Sequence, residues 1–264
     1  MAHVSDLHFG ADDPAVVAGL RADLAAQRID QVLVSGDLTQ RARGRQFEAA
    51  RALLDSFGVP WVSVPGNHDL PLDRLLTRGL RPLDGYRRWI ADEPEPLVLR
   101  DGVLVFGINS ARPYFWKGGE IDAGQVGRIS SAFAVAVRLK VLMLHHPVFS
   151  SPQRPGEQLV RGAERALRAA AAAGADIVLC GHDHVAEQAD LAVSWPGLGR
   201  HVLGVMSGTS TSYRVRVSEP QSYNVLDFDD GDGLRLLVRQ WRGDRFETDR
   251  ERRWSRTADG WHAV

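Results

Sequence analysis

Five short islands of Asp, Asn and His residues punctuate the first 184 positions of this 264-residue chain. They are Asp6-Leu7-His8, Gly36-Asp37, Gly66-Asn67-His68-Asp69, His145-His146-Pro147 and Gly181-His182-Asp183-His184. Together they offer imidazole nitrogens, carboxylate oxygens and one amide oxygen, with no thiolate. That donor set suits two adjacent divalent cations of the Mn, Fe or Zn type rather than a soft-metal or structural cysteine site. Cations held roughly 3.5–4 Å apart repel each other, so a carboxylate must bridge them. Asp37, behind a glycine at a sharp strand end, is the natural bridge. Asp6 and His8 lie two apart on an extended segment, point to one side and can share a metal. His182 and His184 have the same spacing and can divide between the two ions. Asn67 contributes a neutral carbonyl oxygen and His145 a ring nitrogen. Two dications against the carboxylates of Asp6 and Asp37 and one hydroxide leave a single positive charge. Such a site suits a phosphodiester monoanion and also tolerates a monoester, and binuclear centres of this kind commonly hydrolyse phosphate esters.

These residues can cooperate only if the chain brings them together, and the elements around them predict that it does. Apolar runs at 2–5, 31–35, 61–64, 141–144 and 177–180 each end where an island begins. They are short, continuous and rich in Val, Leu and Ile, as expected of strands buried on both faces. Helical stretches separate them. Asp13-Pro14 reads as an N-cap and first helical residue of a helix running to about 28. A second helix is predicted over 43–57, and an alanine-rich third over 156–173 with Gly174 as its C-terminal glycine. Residues 97–99 and 103–108 read as a hairpin. Strand-like runs return at 204–207, 222–228 and 234–241, with a turn at 229–233 between the last two. Alternating strands and helices imply a layered α/β sheet whose ligands gather at the carboxyl ends of the strands. The last third is expected to complete a second sheet, so residues 1–264 read as one domain.

Composition narrows the function. Lys plus Arg (32) nearly balances Asp plus Glu (33), which disfavours a nuclease or a broad nucleic-acid surface. The basic run at 250–256 reads as a solvated terminus. No apolar stretch is long enough to span a bilayer, and the first strand follows Met1 at once, so neither an export leader nor membrane insertion is expected. The single cysteine, Cys180, excludes an internal disulfide and fits a reducing cytoplasm. A small phosphodiester is the expected partner, no nucleic acid is expected, and a homodimer is one arrangement open to the chain.

The pattern Asp-x-His, Gly-Asp, Gly-Asn-His-Asp, His-x-Pro, Gly-His-x-His resembles that of the calcineurin-like metallophosphoesterase superfamily, in order, over residues 2–184. The resemblance implies a four-layer αββα sandwich. It also implies that Asp6, His8, Asp37 and His184 bind one metal and that Asp37, Asn67, His145 and His182 bind the other. In the family the histidine at the position of His68 stabilises the transition state or protonates the leaving alkoxide, and Asp69 is expected to orient it. The nucleophile implied is a hydroxide held between the metals. His146 falls outside the ligand position and is expected behind it. His3 and His201 fall in no motif and read as ordinary structural histidines.

Among branches of that superfamily, Gly107-Ile108-Asn109-Ser110-Ala111-Arg112, then Gly118-Gly119-Glu120-Ile121-Asp122 and Gln125, are similar to class III cyclic nucleotide phosphodiesterases. Asp-Leu-His-Phe-Gly at 6–10 and Gly208-Thr209 suit the same branch, and Arg112 is expected to form outward salt bridges. Hydrolysis of a cyclic AMP-like or other small phosphodiester is therefore the leading expectation. The alternatives are a pyrophosphatase of UDP-2,3-diacylglucosamine type, a nuclease, and a non-enzymatic metal-binding scaffold. The pyrophosphatase would need an apolar acyl-binding surface. Residues 70–89, with Leu72, Leu75, Leu76, Leu80, Leu83, Tyr86 and Trp89, are the one stretch that could provide it, and they read as a packed lid or helix.

Overall fold

The computed structural model describes residues 1–215, 219–229 and 232–264. In chain order the first elements are β1 (Ala2–Val4), α1 (Pro14–Ala26), β2 (Val32–Val34), α2 (Gly44–Asp55) and β3 (Trp61–Ser63). A single 3-10 turn over Asn67–Asp69 leads to α3 (Leu75–Leu80) and α4 (Asp84–Trp89), followed by β4 (Leu97–Arg100) and β5 (Val103–Ile108). Then come α5 (Ala123–Ala132), β6 (Leu139–Leu144), α6 (Ala163–Ala172), β7 (Ile177–Cys180), β8 (Glu187–Asp190), α7 (Leu191–Ser194) and β9 (Leu203–Met206). The chain closes with β10 (Ser222–Phe228), β11 (Gly233–Trp241), β12 (Phe246–Thr257) and β13 (Gly260–Ala263).

Two sheets form, in the orders β13-β12-β11-β10-β1-β2-β3 and β4-β5-β6-β7-β9-β8. In the first, the parallel strands β1–β2–β3 form one side and antiparallel strands the other; in the second, a parallel centre β5–β6–β7–β9 is flanked by antiparallel β4 and β8. Successive side chains on a strand face opposite ways, and the three cores follow from that period. Leu33, Val141, Met143, Leu179 and Val205 pack between the sheets. Val32 and Val34 face a core with Leu20, Leu24, Phe47 and Leu54 of α1 and α2. Leu142 and Leu144 face another with Ile129, Leu167 and Ala170 of α5 and α6. Three cores between four layers make an αββα sandwich, as expected.

Local signals set most boundaries. Asp13 accepts a hydrogen bond from the Ala15 N–H at 2.9 Å, and Pro14 opens α1. The helix predicted over 156–173 is shorter, because 160–161 are held in extended backbone pairings. Val160 N–H donates to Pro147 O, Arg161 N–H to Gly119 O and Ile121 N–H to Arg161 O. Gly162 then turns the chain at φ +82°, where an added Cβ would lie 2.3 Å from Ile121 O. Residues 70–89 form two short helices instead of one.

The basic run at 250–256 is not a solvated terminus. It lies inside β12, paired on both sides, with Trp254 buried between the sheets. Its charges are paired nearby: Arg253 with Glu251 at 3.4 Å, Arg256 with Asp232 at 2.8 Å, and Glu251 with Arg235 of β11 at 3.1 Å. The turn expected at 229–233 includes 230–231, which lie outside the described residues.

Candidate metal centre

The carboxyl ends of β1, β2, β3, β6 and β7 converge, and the backbone there bends sharply. Among the described residues, seven non-glycine residues have positive φ, and five of them are Asp6 (53°), His8 (49°), Asp37 (54°), His182 (77°) and His184 (60°). Left-handed backbone costs a non-glycine residue about 1–3 kcal/mol and persists only where the surroundings enforce it. Here it turns each side chain back over the rim. Gly36 makes the closest approach possible: at φ +92° its Cβ would stand 2.8 Å from both Gly66 N and His145 Nδ1.

Two donor groups result, sharing one oxygen. In the first, Asp6 Oδ1 lies 3.2 Å from His184 Nε2 and 3.5 Å from His8 Nε2, and the two Nε2 atoms are 3.1 Å apart. In the second, His145 Nε2 lies 3.2 Å from Asn67 Oδ1 and 3.2 Å from His182 Nδ1. Asp37 Oδ2 joins them, 3.6 Å from His8 Nε2 and 3.4 Å from His145 Nε2. The other oxygen, Oδ1, accepts the His68 N–H at 2.8 Å. All seven donors are thus brought together, and His182 and His184 do divide between the groups.

Outer contacts fix which atom of the His145 and His184 rings faces inward. His145 Nδ1 donates to Ser35 O at 2.7 Å and His184 Nδ1 to Arg214 O at 2.8 Å, leaving both Nε2 atoms for the centre. Asp6 Oδ2 is held by Ser5 Oγ (2.6 Å) and the His182 N–H (3.0 Å). Asn67 donates through Nδ2 to Trp116 O at 3.2 Å, which turns Oδ1 inward. Residue type and spacing do not reveal Ser35, Trp116 or Arg214, because each acts through a carbonyl that every residue possesses.

The electrostatics ask for cations. Asp6 and Asp37 are buried, which alone would raise their pKa values. The imidazoles outweigh burial, His184 then His8 at Asp6 and His145 then His68 at Asp37, and hold both carboxyls below the usual range. Burial would lower His145, yet Asp37 and Asp6 push it up to about 10. Burial, then His145, drives His182 down to about 3. Asp6 Oδ1 is buried without a well-formed hydrogen bond. Buried carboxylates ringed by inward-facing nitrogens are a donor set that divalent cations fit.

His68 sits beside this cluster, its ring 4.8 Å from that of His8, and only partly buried. Asp69 does not orient it. The Asp69 carboxylate points away and accepts from the N–H groups of Gly66 (2.9 Å), Leu38 (3.2 Å) and Thr39 (2.9 Å) and from Thr39 Oγ1 (3.1 Å). A buried carboxylate goes where donors are densest, and the two strand-end loops present three converging amides. His68 is held instead by Gln40, whose carbonyl oxygen accepts from Nδ1 at 2.9 Å. His146 has its Nδ1 2.8 Å from Ser110 Oγ, and a ring nitrogen of His146 lies within 4.8 Å of donor atoms of His145 and His182. Arg112 turns to Asp122 (3.1 Å), Gln125 (2.6 Å) and Asn109 O (2.7 Å), bracing the fold. His3 is structural: burial takes it down to about 3, and Nε2 lies 2.9 Å from Ser35 Oγ.

A cleft of about 520 Å³ opens beside His68, with Gln40, Arg41, Leu72, Tyr213 and Arg214 on its walls. A larger one, about 710 Å³, lies at the opposite ends of the strands between Met1, Ile29, Arg100, Arg138 and Leu226, and contains none of these donors. Among the described residues, no helix is long and apolar enough to cross a membrane.

Known proteins resemble this chain in sequence or in fold. A probable cyclic nucleotide phosphodiesterase from Synechococcus sp. is 25% identical over 156 residues, covering 56% of this chain and 57% of that protein. A glycerophosphodiester phosphodiesterase from Enterobacter lignolyticus is 32% identical over 80 residues, covering 26% of this chain and 29% of that protein. Each match thus spans less than two-thirds of the relative. The purple acid phosphatase PPD1 from yellow lupin superposes with a TM-score of 0.72 at 15% identity, over 97% of this chain and 53% of that one, which shows a common fold. The model of the calcineurin-like phosphoesterase family matches residues 1–186. With that match running through all five islands to the end of the Gly181–His184 loop, the chain belongs to the calcineurin-like phosphoesterase family.

Proposed function

We propose that this protein is a metal-dependent phosphodiesterase acting on small phosphodiesters, with 3′,5′-cyclic nucleotides of the cyclic AMP type as the leading substrates. The observation that carries the reading is the pair of donor groups sharing the single oxygen Oδ2 of Asp37. Asp6, His8, Asp37 and His184 would hold one cation and Asp37, Asn67, His145 and His182 the other. Mn, Fe and Zn are the ions such oxygen and imidazole donors accept. When bound, the cations supply positive charge to the phosphoryl oxygens and activate the attacking water.

The chain's own residues do the rest. His68, with Nδ1 tied to the Gln40 carbonyl, has Nε2 left for substrate, where an imidazole can donate a proton to the leaving alkoxide. Asp69 keeps the loops carrying Asp37 and His68 in register. Arg41 and Arg214 flank the cleft beside His68 and suit an anionic substrate, while the exposed ring of Tyr213 offers a face on which a base can stack. The similarity to two phosphodiesterases supports a small diester. A reducing cytoplasm is the compartment this reading assumes, with Cys180 a buried free thiol.

One observation favours a second reading, a lipid-linked diester or pyrophosphate. Leu75 (66% exposed), Leu76 (82%) and Leu80 (80%) project from α3. That helix is tied toward the centre by Arg78, which donates to Pro113 O and Phe115 O and lies over the Trp116 ring. Purified protein loaded with Mn²⁺, Fe²⁺ or Zn²⁺ should be offered bis(p-nitrophenyl) phosphate, cyclic AMP, a glycerophosphodiester, UDP-diacylglucosamine and DNA. Hydrolysis of the first three, abolished by chelation, is expected. Cleavage of UDP-diacylglucosamine alone would transfer the assignment to the second reading, and no hydrolysis with two metals bound would point to a scaffold.

A further inference from the structure

Far from the strand-end rim, a second group of metal-type side chains assembles where the two sheets meet at their edges. β8 is the last strand of one sheet and β13 the last of the other. Asp190 ends β8, His201 lies between α7 and β9, Asp259 occupies the turn between β12 and β13, and His262 lies on β13. Backbone contacts lock these segments together: His201 N–H donates to Asp259 O at 2.8 Å and Trp261 N–H to His201 O at 2.9 Å. Gly260 permits the approach, since at φ +125° its Cβ would lie 2.0 Å from His201 O.

The side chains complete a recognisable set. The His201 and His262 rings lie 4.3 Å apart. His262 Nε2 is 3.0 Å from Asp259 Oδ1 and His201 Nε2 is 3.9 Å from Asp259 Oδ2, and donor atoms of the three residues fall within 4.8 Å of one another. On its far side the His201 ring is already oriented, with Nδ1 2.5 Å from Asp190 Oδ2. A carboxylate behind one nitrogen of an imidazole, with the other nitrogen facing a second imidazole and a carboxylate, is the arrangement that supports metal-ligating histidines. Ligand bonds of about 2.0–2.2 Å would need only small movements of these partly exposed side chains.

We propose that His201, Asp259 and His262 bind a divalent transition metal of the zinc class, with Asp190 as the orienting carboxylate behind His201. This site is separate from the strand-end centre and independent of any reading of its substrate. Two imidazoles and one carboxylate leave room for water, so the ion is held at the surface and clamps the edge of one sheet to the edge of the other. His201, which belongs to no motif, thereby acquires a role that sequence spacing does not reveal, because its partners lie about 60 positions further on.

The test uses the full chain, with its strand-end centre first equilibrated with Mn²⁺ and then dialysed against micromolar Zn²⁺. Total metal per chain should be one equivalent higher in wild type than in His262→Ala or His201→Ala. Asp190→Asn should retain the site with about 10–100-fold weaker zinc binding. Zinc should raise the Tm of wild type by more than that of His262→Ala, and both proteins should hydrolyse bis(p-nitrophenyl) phosphate at the same rate. A measurement that needs no variant is imidazole NMR of wild type, where the His201 and His262 Nε2 signals should shift as zinc is added. Equal metal counts in wild type and His262→Ala, or ring signals unmoved by zinc, would overturn the proposal.

Discussion

The strand-end cluster and the His201–Asp259–His262 cluster use the same residue types under opposite physical conditions. The first is buried, and most of its residues sit on left-handed backbone. Its two carboxylates are buried from bulk solvent, so compensating charge has to come from neighbouring imidazoles or from cations. The second is partly exposed: Asp259 is 63% exposed, and its carboxyl is taken down to about 2, first by the Thr257 hydroxyl and then by His262. Water screens those charges, and His262 and Asp259 lie on a simple hairpin. Burial makes a cation close to obligatory in one place and optional in the other. Removal of a ligand should therefore be severe at the rim and mild at the edge.

The largest expected effect is that of Asp37→Ala. It removes the only oxygen common to both donor groups and leaves His8 facing Asp6 alone and His145 with no carboxylate in contact. Metal analysis should show at least one cation lost and nearly all turnover with it. Two retained metals and normal turnover would break the comparison at its stronger end.

His68→Ala should leave the metal content intact while lowering turnover by about 10²–10⁴-fold, the usual worth of a positioned acid or base. The loss should shrink for a nitrophenolate leaving group, which departs without a proton. A deficit of the same size for an alkoxide leaving group would remove the proton-donor role.

For Asp69→Ala the expected defect is in stability before chemistry. Three backbone amides lose their acceptor, while the Thr39 hydroxyl keeps His68 O, and each orphaned buried donor costs about 1–3 kcal/mol. Some could recover water in the space left behind, so a fall of ~2–5 kcal/mol is expected in denaturant unfolding of the metal-free protein. A midpoint like that of wild type would show that the carboxylate is dispensable to the loops.

The smallest effect belongs to His262→Ala in zinc-free buffer. As a surface substitution it should change unfolding free energy by no more than about 0.5 kcal/mol and leave hydrolysis untouched. A larger loss without zinc would mean that the edge cluster is a folding element in its own right.

Much of the strand-end centre was legible in the sequence, because a metal imposes its chemistry on residue type. Seven positions had to be Asp, Asn or His, each at the end of an apolar run, and the structure brings all seven together. The sandwich was legible for a related reason: buried strands must alternate with helices that cover them. What composition and spacing could not carry were contacts made through atoms common to every residue, such as the carbonyls of Ser35, Gln40, Trp116 and Arg214. Neither could they show which of several donors a side chain would choose. Asp69 follows His68 directly, yet three amides contributed by two separate loops outcompete that neighbour.

Charge patterning misled at 250–256 for a similar reason. A basic run resembles solvated chain until a strand places Trp254 inward and sets the loop acids Asp176 and Asp232 beside Arg256. The residue types alone determined that this protein would gather hard and borderline donors around divalent cations. Only the tertiary structure decided which oxygen is shared, which nitrogen of each ring faces inward, and that His201 meets His262 at all. Those outcomes depend on hydrogen bonds between segments distant along the chain, and these bonds exist only once both sheets have formed.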